Sequence, residues 1–239
     1  MGQGILLSTG ADIDFMIHGV FSYELFGQTV WITTTHVCVL IVMLVLSVFS
    51  IVAGITMKKA EEVPKGFQNV VELIVEMLDN MANSTMGKNA PGFRNYIGTI
   101  FIFILISNIS GLFGLRPPTA DYGVTLPLGL MTFTLIHFNK FKYQKVKGVI
   151  EGLCSPWPIW APINMIGDVA VPISLSLRLF ANILSGTVIM ALIYGLLSKF
   201  AYFWPAALHV YFDLFSGAIQ TYVFCMLTMT YISDAMTTE

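Results

Sequence analysis

Charge is what this chain has least of. Of its 239 residues, 12 are Lys or Arg and 14 are Asp or Glu, so 11% are charged, where soluble domains carry about 25%. That is too little to hydrate the surface of a fold this size, so lipid has to cover much of it. A basic face is missing as well. The net charge of −2 and a pI near 6.1 argue against a nucleic-acid partner. Cysteine is scarce: Cys38, Cys154 and Cys225 lie far apart with no C-x-x-C spacing, so neither a disulfide framework nor a zinc site is indicated. Residues 1–20 show no basic region ahead of an apolar stretch, which excludes a secretory signal. The opening MGQGIL lacks the Ser or Thr at position six that N-myristoylation favours. There is no GxSxG, HExxH, P-loop or GxGxxG motif, and the four histidines are scattered, so no catalytic site is read in the chain. No cofactor motif is present either.

What is present is apolar. Hydrophobic residues make up 56% and aromatics 13%, with a mean hydropathy of +0.76. The gaps between charges set the architecture. Residues 31–57, 96–115 and 122–139 contain no Asp, Glu, Lys or Arg. A span needs roughly 20 apolar residues, so the first two qualify easily and the third sits at the short limit. Residues 152–198 carry only Asp168 and Arg178, and residues 200–233 only Asp213. As continuous helix, residues 159–198 would reach about 60 Å and residues 205–235 about 46 Å. The hydrocarbon core is about 30 Å thick, so these two must tilt steeply, break or lie partly along the membrane, and Pro172 offers one place for a kink.

Orientation follows from the cations. Lys58, Lys59, Lys65, Lys88 and Arg94 fall between the first two runs, and Lys140, Lys142, Lys145 and Lys147 follow the third, against only Arg116 and Lys199 in the alternate loops. The positive-inside rule then puts the N-terminus outside and the C-terminus in the cytoplasm, with about five crossings. Residues 1–30 become an extracytoplasmic segment, and the sequon at Asn83 falls on the cytoplasmic side. Between the first two spans, within residues 64–86, Phe67, Val70, Val71, Ile74, Leu78 and Met81 follow helical spacing. Gln68, Glu72, Glu76, Asp79 and Asn83 take the other face. This predicts an amphipathic helix at the cytoplasmic interface, an anchor or a partner contact. The expected fold is an all-α polytopic membrane protein, a single membrane domain over residues 1–239.

Charges inside such a domain point to function. Arg at the middle of a lipid-facing helix costs roughly 2.5–3.5 kcal/mol, so Arg178 should face protein, water or an anion. Pairing with Asp168 would need a break at Pro172, because ten residues of helix separate the two by about 15 Å. Spacing places Asp168, Leu175, Arg178, Asn182 and Ser185 near one stripe, with Asn182 one turn beyond the arginine. On the last helix Asp213, Ser216, Gly217, Gln220 and Phe224 form a second. Gln220 alone reads as an interhelical hydrogen bond. Asp213 is an intramembrane acid with no evident partner, and such residues usually serve function. Small residues, Ser174, Ser176, Ala181, Ser185, Gly186, Ser216, Gly217 and Ala218, permit close approach by a partner helix or another subunit.

The segment PISLSLRLFAN, residues 172–182, resembles the signature of subunit a of the F-type ATP synthase. Three more segments resemble that family in order: PKGFQNVVE (64–72), SNISGLFG with PPTADYGVTL (107–114 and 117–126), and GAIQTYVFCMLTMTYIS (217–233). The resemblance implies a short bundle of upright helices beside two long tilted ones, which curve against a rotating ring of c subunits. It also implies peripheral-stalk b subunits as partners, H⁺ or Na⁺ as the transported ion, and residence in the bacterial inner (plasma) membrane. By motif position, Arg178 is the arginine that faces the ring's carboxylates, Gln220 the glutamine near it and Asn182 the asparagine after it. Asn108 and Asp121 match polar positions of the outer half-channel. This chain departs from its relatives at three places: Thr187 stands where many have Glu or His, Asp213 where His or Glu is common, and Gly123 where Asn is common. Asp213 is therefore expected to be the titratable group of the outer half-channel, with Thr187 at most a relay. The competing readings are a stand-alone ion-coupled secondary transporter and an intramembrane enzyme, though neither internal repeats nor a nucleophile or metal constellation is visible, and Asp168 joins the ion-path candidates.

Overall fold

The computed structural model describes residues 19–25, 28–58, 60, 64–113, 115–154, 157–196 and 204–237. Most of the expected N-terminal segment, together with Lys59 and Lys199, lies outside the described residues. The described chain is helical apart from one feature that sequence spacing did not predict. Strands β1 (Gly19–Leu25) and β2 (Gln28–Thr33) pair antiparallel ahead of the first helix. The uncharged run from Trp31 therefore opens in a strand, and helix α1 covers Thr34–Met57. The β-branched Val30, Ile32 and Thr33 favour extended backbone locally, which hydropathy alone does not register.

Among the described residues four stretches are long and apolar enough to cross a membrane: Thr34–Met57, Phe67–Phe113, Pro158–Ile193 and Ala207–Met236. The second consists of two helices. α2 (Phe67–Met86) and α3 (Ala90–Ile109) are joined by a 3₁₀ turn at Gly87–Asn89. Gly87 takes φ +53 at this turn, a conformation that a side chain resists. The Asp79 carboxylate clasps Arg94 Nε at 2.7 Å across the pair. α2 buries Leu78, Ala82 and Met86 against α3 and the last helix, and Val71 is buried as well. Gln68, expected on the polar face, is also buried, where its Nε2 donates to Glu72 at 2.7 Å. That bond lets an amide enter the packed face without losing its partner.

The third uncharged run forms the first part of a longer helix. α4 (Tyr122–Cys154) continues through the lysine-rich segment and departs from helical geometry at Lys145, φ +56. α5 (Ala161–Leu196) follows a short 3₁₀ turn at Pro158–Trp160. At 36 residues it is about 54 Å long, so within a 30 Å hydrocarbon slab it must run oblique to the membrane normal. Pro172 lies inside α5 without ending it. The last helical stretch is composite: α6 (Trp204–His209), a seven-residue π-helix at Val210–Ser216, and α7 (Gly217–Met236).

The core forms where α2, α3, α4, α5 and α7 meet. Ile97 and Ile104 of α3, Leu128 of α4, Leu175 and Leu179 of α5, and Phe224 and Met229 of α7 are buried there. α4 and α5 approach closely at Gly129. A Cβ built on Gly129 would lie 2.6 Å from the Pro172 carbonyl oxygen, so glycine is what permits this contact.

Candidate functional site

Leu175, Leu179, Ile183, Gly186 and Met190 turn one face of α5 inward. Ser174, Leu177, Arg178, Ala181, Leu184, Ser185 and Val188 turn the other outward. The expected stripe is therefore divided. Leu175 is 1% exposed and packs in the core, whereas Arg178 stands on the open face. The step of three between them rotates the side chain about 60°, enough to carry it from the packed seam to the surface. Among the described residues Arg178 has no hydrogen-bond or ion-pair partner. On the last helix Val210, Tyr211, Leu214, Phe215, Ile219 and Tyr222 form a second outward apolar row. The small residues divide in the same way. Ser174, Ala181 and Ser185 are exposed, whereas Ser176, Gly186 and Gly217 serve the chain's own packing.

The pair of Asp168 with Arg178 does not form. Asp168 Oδ2 accepts from Lys140 Nζ at 3.1 Å, and His137 Nε2 lies 3.9 Å from the same oxygen. α5 runs through Pro172 unbroken, so ten residues of rise keep the guanidinium away from Asp168. A cavity of about 200 Å³ opens beside this cluster, lined by Phe133, His137, Lys140, Asp168, Tyr231 and Asp234 among others.

A second polar cluster lies beyond Arg178 along α5. Asn182 Oδ1, one turn on, accepts from Ser216 Oγ at 2.8 Å and so ties α5 to the π-helix. Within the π-helix, Asp213 Oδ2 meets His209 Nδ1 at 3.1 Å. Gly111 faces Asp213 closely: a Cβ there would come within 3.3 Å of its carboxyl carbon. Asn108 is buried and fully engaged. Its Nδ2 donates to the Gly217 carbonyl at 3.1 Å and to Thr221 Oγ1 at 3.3 Å, and its Oδ1 accepts from Thr119 at 2.7 Å. Gly217 makes room for it, since a Cβ at that position would sit 2.9 Å from Asn108 Cβ.

The remaining candidates are more separate. Asp121 Oδ1 accepts from the Gly123 amide at 2.8 Å in a local turn. Thr187 is exposed, and its hydroxyl donates to the Leu184 carbonyl of its own helix at 2.8 Å. Gln220 is half-buried, and its Nε2 is buried without a hydrogen-bond partner among the described residues. Sequence reasoning missed His209, His137 and Lys140. The first carried a signal, because His209 and Asp213 stand four apart on one helix face. Lys140 lies 28 residues from Asp168, so only the packing of α4 on α5 unites them. Nothing in the sequence marked the π-helix, although such segments gather at functional sites. Among the described residues no group of three or more His, Cys, Asp or Glu is placed to hold a metal.

The arrangement sets a cation on an apolar face, with an acid-bearing cluster on each side of it along the helix. Comparison with known proteins agrees in kind. The profile of the ATP synthase A chain family matches residues 36–233. The sodium ion specific ATP synthase subunit a of Propionigenium modestum is 38% identical over 195 residues, covering 75% of this chain and 66% of that protein. ATP synthase subunit a of Limosilactobacillus fermentum is 33% identical, covering 92% of this chain and 98% of its own. With 32% identity, ATP synthase subunit a 2 of Chlorobaculum tepidum covers 93% and 72%. With four apolar membrane-length stretches and a family match across most of its length, this chain belongs to the ATP synthase subunit a family, multi-pass membrane proteins of the ATP synthase.

Proposed function

We propose that the chain is the stator of the ion-translocating sector, with the outward rows of α5 and the last helix facing a rotating ring of c subunits. The observation that carries this reading is Arg178, exposed on an apolar face and unpaired among the described residues. Lipid over that face would leave an insertion cost of roughly 2.5–3.5 kcal/mol. A protein surface that presents ionised carboxylates removes it.

In this reading the cluster of Asp213, His209, Asn108 and Asp121 serves the outer half-channel, and the cavity at Asp168 serves the inner one. Because they are offset on either side of Arg178, an ion crosses only by riding the ring. The guanidinium favours the ionised ring carboxylate as it passes, so the bound ion leaves. It also repels cations that would leak directly between the half-channels. Arginine suits this role because it stays charged when partly desolvated. The membrane potential supplies about 2.3 kcal/mol per elementary charge per 100 mV. Asn182, held by Ser216, and Gln220 are the polar residues assigned to support the arginine, and Thr187 plays no more than a local part.

The reading includes five crossings, the fifth being the membrane half of α4. It also places the N-terminus outside and the C-terminus in the cytoplasm of a bacterial inner membrane, with b subunits of the peripheral stalk as further partners. ATP is made or hydrolysed elsewhere in the complex. The transported ion is H⁺ or Na⁺, and the ligands that choose between them lie largely on the ring. The test is ATP-driven ion pumping in proteoliposomes that hold the whole complex with Arg178→Ala. Loss of coupled pumping by an assembled complex is expected, with added passive leak from the lost barrier. Normal pumping would return Arg178 to a structural role.

A further inference from the structure

We infer that Lys140 is a tethered counter-cation at the cytoplasmic exit of the ion path, occupying Asp168 whenever the transported ion does not. The inference rests on the stator reading above and adds a residue and a role to it. Three observations carry it. First, the Lys140–Asp168 pair is not sealed into the core. Asp168 keeps 36% of its side chain exposed and Lys140 20%, and both line the cavity of about 200 Å³. At about 30 Å³ per water, that space takes several waters, so a hydrated ion can reach the same carboxylate oxygen.

Second, the charges around the cavity come from three helices. α4 brings Lys140 and His137, α5 brings Asp168, and α7 brings Asp234 beside Tyr231. With His137 neutral, two carboxylates and one ammonium leave a formal charge of −1. That is a weak lure for a cation. Without Lys140 the same walls carry −2 and bind a cation more tightly, which is the wrong property for an exit. Third, the ammonium sits on a flexible four-carbon stem and makes a single contact of 3.1 Å to Asp168, so it can yield to an arriving ion and return. Fixed guanidinium–carboxylate forks lack that freedom.

Lys140 thus acts through Asp168, as a positioning residue that sets how firmly the exit holds its ion. The test uses the whole complex in proteoliposomes with its ATP-hydrolysing part facing the bath. ATP-driven pumping then draws the ion from the cytoplasmic side, and ATP synthesis driven from the lumen reads the other side. Rates are titrated with bath pH and, separately, with Na⁺. Lys140→Gln is expected to lower the half-saturating ion concentration on the cytoplasmic side roughly three- to tenfold, as suits a partly exposed pair. Dependence on the lumenal ion should stay unchanged. Lys140→Arg keeps the charge but its fork yields less readily, so it should raise the cytoplasmic value above wild type, and Asp168→Asn should raise it as well.

On the Asp168→Asn background Lys140 has lost the carboxylate it acts through, so adding Lys140→Gln should shift the half-saturating concentration by less than about threefold. That comparison decides the matter if Lys140→Gln by itself fails to assemble. No shift from Lys140→Gln, a shift equal on both sides, or a shift of about threefold or more on adding Lys140→Gln to Asp168→Asn would overturn the assignment. Arg178→Ala run alongside separates the two readings. An Arg178→Ala complex that still pumps sinks the stator reading, whereas an inactive one beside an unshifted Lys140→Gln sinks only the role of Lys140.

Discussion

Replacing Gly129 with alanine would drive a wedge between α4 and α5. The added Cβ would lie 2.6 Å from the Pro172 carbonyl oxygen and 3.3 Å from Ser176 Cβ. Ordinary contacts begin at 3.4 Å, so the two helices must part by about 0.8 Å at that point, the difference between the two distances. The obstructing atom is backbone in the middle of a 36-residue helix, so no rotamer change relieves it. Overpacking of this kind costs about 1–3 kcal/mol, and a backbone obstacle belongs at the top of that range. Alanine returns up to about 1 kcal/mol of helix propensity, which leaves a net loss of about 2 kcal/mol.

Gly98→Ala is the matched control. There the nearest atom is Leu78 Cδ1 at 3.5 Å, an ordinary contact, so that variant should hold or gain up to about 1 kcal/mol. The two variants are thus expected to differ by about 3 kcal/mol. Equilibrium unfolding of the full chain in mixed micelles, followed by tryptophan fluorescence, measures the difference. Equal stability of the two would refute the close approach of α4 to Pro172.

Two further outcomes are expected. Asp213→Asn should abolish ion transport by the reconstituted complex, with His209→Gln intermediate because it removes only the 3.1 Å partner. Near-normal transport by Asp213→Asn across a range of pH would end its assignment as the titratable group. Asn108→Ala removes all three side-chain hydrogen bonds of a residue that is 1% exposed. It should destabilise the chain by about 2–3 kcal/mol, read from unfolding in the same micelles, and a loss below about 1 kcal/mol would show that water replaces the bonds.

Composition reached far into this fold. Uncharged runs located the long helices because the cost of charge in hydrocarbon is large and independent of tertiary detail. The arginine motif singled out Arg178, and Asp213 drew notice as the last helix's one intramembrane acid. What stayed hidden depended on packing between distant segments. Leu175 and Arg178 read as one stripe, since a step of three is ambiguous until a neighbouring helix covers one side. One helix carries both Asp168 and Arg178, which suggests a pair, yet the partner of Asp168 comes from α4. The hairpin escaped because it lies next to a run whose hydropathy suited a helix. The π-helix escaped because widening a helical turn needs no special residue.

The uncovered guanidinium of Arg178 also bears on biogenesis. A membrane protein complete in itself turns no unpaired cation toward the acyl chains. With that side chain facing lipid, α5 is held in the bilayer roughly a hundredfold less firmly than when an anion covers it, the equivalent of about 2.5–3.5 kcal/mol. Newly inserted copies that outnumber their partner are therefore the ones most open to membrane proteases. On the stator reading, the same charge matches the number of these chains to the number of partners that can receive them.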